Sequence, residues 1–115
     1  MEKVKVYDKL VRDNIPTIIE KKGDTPVIRV LDESEYRREL MWKLQEECNE
    51  VMNATSREQL IEELADVLEV LKALAKLEDK SMADIIEVAQ QKKLIKGGFD
   101  KKVFLEKTIS KGKTK

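Results

Sequence analysis

Five acids stand out by their spacing: Glu46, Glu47 and Glu50, then Glu63 and Asp66. They read E-E-x-x-E, a gap of twelve residues, then E-x-x-D. Residues three and four apart share a helix face, so each group would present its acids together. Five carboxylates meeting from two helices repel one another unless a cation sits among them. Oxygen-only donors suit a hard ion, Mg2+ or Mn2+. The competing reading is a solvated surface, because charged residues are 40% of the chain and acid-rich helix faces follow from that alone.

Bringing the acids together requires two antiparallel helices. Asp32 or Ser34 caps the first, which is predicted to run to about Asn53. Asn53–Ser56 (NATS) combines poor helix formers with capping residues, so the chain can reverse there. Ser56 is an N-cap with Gln59 in capping-box position, opening a second helix from Arg57 to Leu77. So short a connection makes the two helices antiparallel. At about 100° per residue, Leu40, Leu44, Cys48 and Val51 form the apolar stripe of the first helix. Glu47 flanks it, with Glu50 and then Glu46 further round. The stripe of the second is Leu60, Ile61, Leu64, Val67, Leu68 and Leu71, flanked by Glu63, with Asp66 further round. Toward the C-terminus the Glu63/Asp66 sector turns apolar at Val70, Ala73 and Leu77. A solvated face would stay polar, whereas a metal site beside a second packing surface would change in this way. The surplus apolar circumference from Val70 to Leu77 predicts contact with another subunit.

Elsewhere, Val4–Tyr7 and Val27–Leu31 read as short strands of a small ribbon. Ile15–Lys22 reads as a short helix with Asn14 as cap and Pro16 in its first turn. A third long helix, Met82–Lys96, follows Ser81 and carries Ile85, Ile86, Val88, Ala89 and Leu94 as an apolar side. Gly97-Gly98 ends it, ahead of an extended tail. Trp42 lies off the first stripe and is read as packing on another element or subunit. Lys9 and Arg12 form either a salt-bridged turn or a basic arm that reaches substrate phosphates. Lys92, Lys93 and Lys96 either compensate the helix dipole or neutralise phosphates. Tyr36 and Lys43 share the sector of Glu46 and Glu50 and are expected to contact a base or to support the acids.

Composition removes several classes. At 115 residues the chain has room for one core, expected as a single domain over 1–110 with a disordered tail over 111–115. Lys+Arg and Asp+Glu are both 23, which argues against a nucleic acid polymer as partner. No apolar run reaches the length of a membrane span, and the N-terminus lacks the apolar centre of a signal peptide. Cys48 is the single cysteine, so no internal disulfide forms and a reducing cytoplasm fits. The absence of histidine excludes Ser-His-Asp and Cys-His mechanisms and His-ligated zinc. Carboxylates, lysines and arginines are left for chemistry.

The acidic pattern resembles that of the MazG-like, all-α nucleoside triphosphate pyrophosphohydrolases. YDKLVRDNIPTII at the start, KGGF at Lys96–Phe99 and Phe104-Leu105-Glu106 are similar to one branch of that superfamily, the predicted house-cleaning pyrophosphatases. The resemblance spans about Tyr7 to Glu106. It implies Mg2+-dependent cleavage between the α and β phosphates, giving the monophosphate and pyrophosphate. It also implies metal binding by Glu46, Glu47, Glu50, Glu63 and Asp66, with Glu46 or Glu47 taking the water proton. Lys9, Arg12, Lys93 and Lys96 are expected on the phosphates. The expected fold is mainly α: three principal helices, a short N-terminal helix and a small β element, completed by assembly to a dimer or tetramer. Two other readings stand: a catalytically silent helical adaptor, and a phosphoribosyl-ATP pyrophosphohydrolase, which shares the acidic motif.

Overall fold

A computed structural model describes residues 2–112. Among these it contains four helices: α1 (Ile15–Lys21), α2 (Glu33–Met52), α3 (Arg57–Leu77) and α4 (Met82–Lys96). They fall into two compact units that divide after Met82. The first holds α1, α2 and α3.

Local chemistry sets the ends of α2 and α3. The Asp32 carboxylate accepts the Glu35 N–H at 2.8 Å, capping α2. A cap of this kind is worth about 1 kcal/mol. Arg29 grips the same turn with a two-pronged bond to Glu35, at 3.2 and 2.9 Å. At the other end the Asn53 side chain donates to the Asn49 carbonyl. Ser56 Oγ then accepts the Gln59 N–H at 3.1 Å, and Gln59 Oε1 accepts from both the N–H and the hydroxyl of Thr55. The reciprocal bond of the capping box thus falls one residue before the cap. α2 and α3 pack on each other as a hairpin. An ion pair from Arg37 to Glu78 closes its open end.

Leu40 of α2 and Val70 and Ala75 of α3 are buried. Leu44, Cys48 and Val51 are half-buried, as are Val67, Ala73, Leu74 and Leu77. The α2 stripe therefore lies inward as expected, but α3 is rotated from expectation. Ile61, Leu64 and Leu68, assigned to the main core, are 55%, 50% and 46% exposed. The Val70–Leu77 sector, assigned to a second subunit, is covered within the chain. α3 carries two apolar sectors. The one in line with Glu63 and Asp66 turns toward α2 and carries those acids with it.

The expected β element is absent: no strand forms among the described residues. Val4, Val6, Val27 and Val30 are all exposed. An isolated alternating segment gains nothing without a ladder partner, and a helical hairpin offers no sheet edge. The 27–31 segment is instead held to α2 by Arg29. At α1, Asn14 occupies the cap position without a side-chain capping bond, and Pro16 lies in the first turn. The chain leaves α1 through Gly23 at φ 94, a left-handed conformation that favours glycine. Trp42 is 66% exposed, so it is not packed inside the chain.

In the second unit, Ala83 to Lys96 of α4 are exposed, and 97–112 carry no regular strand or helix. Of the expected tail, 113–115 lie outside the described residues. No helix among the described residues is long and apolar enough to cross a membrane.

Candidate metal centre

Glu47 projects from α2, and Glu63 and Asp66 project from successive turns of α3. One carboxylate oxygen from each lies within 4.8 Å of the other two. The Glu47 side chain is 12% exposed, while Asp66 is 41% exposed. The donor set is all oxygen, with no imidazole or thiolate. It fits a hard divalent ion such as Mg2+ or Mn2+.

The acids differ in how readily they ionise. Burial pushes the Glu47 carboxyl above its ordinary range, and the charge of Asp66 adds to this. Glu63 is raised by desolvation, then by Glu50 and Asp66. Glu50 itself is exposed and lies outside the converging three, although its charge is felt at Glu63. Glu46 is not one of the converging three and is paired with lysines. Lys43 Nζ donates to its Oε2 at 3.0 Å and Lys9 Nζ lies 3.6 Å from the same oxygen. Burial pushes Glu46 upward, but the bonds and charges of Lys43 and Lys9 outweigh it and hold the carboxyl below the ordinary range.

Arg12 Nη2 donates to Asp66 Oδ1 at 2.7 Å. The segment before α1 therefore lies on the acids, so the salt-bridged reading of Lys9 and Arg12 is realised in the fold. Lys43, 17% exposed and 3.7 Å from Glu47, supports both Glu46 and Glu47. Its spacing of three and four residues was the signal for that role. Tyr36 borders a hollow with Ala73, Lys76 and Leu77. It stands about 16 Å along α2 from Glu47 at 1.5 Å per residue, too far to support the acids. Lys92, Lys93 and Lys96 line a separate hollow of the second unit with Gly97, Gly98 and Phe99.

Residues 36–104, more than half of the chain, match the family model of the MazG nucleotide pyrophosphohydrolase domain. The chain belongs to this family. The matched MazG span contains all five acids, whereas Lys9 and Arg12 precede it. The family points to nucleotide pyrophosphohydrolase activity. Over 53 residues the chain is also 47% identical to an uncharacterized protein of Mycolicibacterium smegmatis, covering 46% of this chain and 54% of that protein. The chain thus spans about half the length of this curated relative. No solved structure matches the chain.

Proposed function

We propose that this chain hydrolyses nucleoside triphosphates, noncanonical ones among them, between the α and β phosphates, releasing pyrophosphate. The observation that carries the reading is the convergence of Glu47, Glu63 and Asp66 from two helices, in a MazG domain. These three would hold Mg2+ or Mn2+, with Glu50 beside them. When bound, such an ion offsets charge on phosphate oxygens and lowers the pKa of water. Glu46 adjoins the three without converging on them. Its place beside the three, outside the converging set, supports assigning it the proton of the attacking water, with Glu47 as the alternative. Arg12 and Lys9 supply positive charge for the phosphates.

The proposed working form is a homo-oligomer, dimer or tetramer, in the cytoplasm. Few apolar side chains are buried within the chain, while Ile61, Leu64, Leu68 and Leu71 form an exposed stripe along α3. Such an apolar stripe supports the self-association reading.

A panel of ordinary and modified nucleotides, phosphoribosyl-ATP included, incubated with Mg2+ and assayed for products, tests the activity. Pyrophosphate with the monophosphate is expected. Orthophosphate with the diphosphate would overturn the assignment, and the silence of every substrate would favour the adaptor reading.

A further inference from the structure

Two cationic side chains of one segment rest on the acids. Arg12 bonds to Asp66, and Lys9 lies beside Glu46. Between them Leu10 and Val11 are half-buried, and the Ile15 N–H donates to the Arg12 carbonyl at 3.0 Å as the chain enters α1. The contact is thus made by an anchored segment rather than by a stray surface side chain.

Asp66 is also one of the three converging carboxylates. Arg12 holds it through one nitrogen, between side chains 56% and 41% exposed. Exposed single-point pairs of this kind are weak. A divalent ion would engage three carboxylates at once. A guanidinium and a divalent ion on the same carboxylate repel each other.

We propose that Arg12 and a divalent cation compete for Asp66, so that cation binding releases the Lys9–Asn14 segment from the acids. The proposal rests on the metal reading above. It gives the N-terminal segment two positions. In one, Arg12 balances the charge of Asp66. In the other its fork of donors is available to phosphate oxygens, whose geometry it matches. The cation would then bind before the nucleotide and prepare the phosphate contact.

Mn2+ binding without nucleotide tests this independently of turnover. Titration calorimetry of the wild type, Arg12→Gln and Arg12→Lys measures affinity. Limited trypsin cleavage of the wild type after Lys9, mapped by mass spectrometry, reports on the segment. Arg12→Gln should bind Mn2+ several-fold more tightly than the wild type, and Arg12→Lys should stay close to it. Mn2+ should speed cleavage after Lys9. Unchanged or weaker Mn2+ binding by Arg12→Gln, or unchanged cleavage of the wild type, would overturn the competition while leaving the metal site standing. No Mn2+ binding by any of the three proteins would sink the metal site and this proposal together.

Discussion

Lys43 binds two neighbouring carboxylates unequally: its Nζ lies 3.0 Å from Glu46 Oε2 and 3.7 Å from Glu47 Oε1. Glu46 also has Lys9 and is held below the ordinary carboxylate range. Burial raises Glu47, and the charges of Asp66 and Glu63 add to this. Adjacent glutamates of one helix thus sit in different electrostatic surroundings. Glu46 stays charged with ammonium partners, and Glu47 carries repulsion from Asp66 and Glu63 that Lys43 offsets only in part and that a cation would remove.

Neutralising the converging acids should separate function from stability. Glu47→Gln, Glu63→Gln and Asp66→Asn should each lower Mg2+-dependent turnover by about 100-fold or more, since even groups behind a metal ligand contribute up to that much. Each change also removes a repelling charge. In chelator, the melting temperature of Glu47→Gln and Glu63→Gln should therefore hold or rise. Scanning calorimetry beside pyrophosphate release checks both halves; unfolding of all three variants would make the acids structural.

Opposite shifts predict opposite pH dependences. The folded-state pKa of Glu47 lies above the ordinary value of 4.5. Its stabilising contribution is therefore complete below that value and is lost as pH rises through the raised pKa. The pKa of Glu46 is depressed, so its contribution is present above the ordinary value and is lost as pH falls through the lowered one. In chelator, Glu47→Gln should flatten the stability loss on the alkaline side, and Glu46→Gln should flatten it on the acid side. Urea midpoints measured between about pH 3 and pH 7 resolve the two. A loss unaltered by either substitution would mean that other groups set the profile.

Leu64→Glu and Leu68→Glu place charge on the exposed stripe of α3 and should yield monomers without unfolding the hairpin. Ala73→Glu should behave differently, because Ala73 lies beside Tyr36 within the hairpin. It should cost about 2–3 kcal/mol of stability, as charges forced against packed surfaces do. Sedimentation velocity and chemical denaturation distinguish the outcomes. Wild type sedimenting as a monomer at micromolar concentration would refute self-association.

The bounds of α3 and α4 were legible because their signals are local. Ser56 caps α3, and Gly97 stands just past the last turn of α4. The side of α3 that turns inward is not a local property. Periodicity shows two apolar sectors, and only the partner surface of α2 chooses between them. The β segments failed for the same reason, since alternation at Val4–Tyr7 describes a strand only when another strand lies beside it. Within the acidic motif, the spacing of Glu63 and Asp66 implied a shared face. Separation of Glu46 from Glu47 depends partly on Lys9, which reaches Glu46 from a distant part of the chain.

All three converging acids lie within one hairpin whose connection is four residues long, Asn53–Ser56. The contacts nearest that connection, those among the acids included, therefore close short loops, and short-range topologies fold fast. Synthesis proceeds from the N-terminus, so the acids can gather at the ribosome once Leu77 has emerged, while α4 is still inside the exit tunnel. Cellular Mg2+ would then meet the chain as a folding ligand before it meets it as a cofactor, drawing the hairpin together by mass action. Refolding of the purified chain should accelerate as Mg2+ is added. A stopped-flow rate indifferent to Mg2+ would show that the acids gather only after the rate-limiting step.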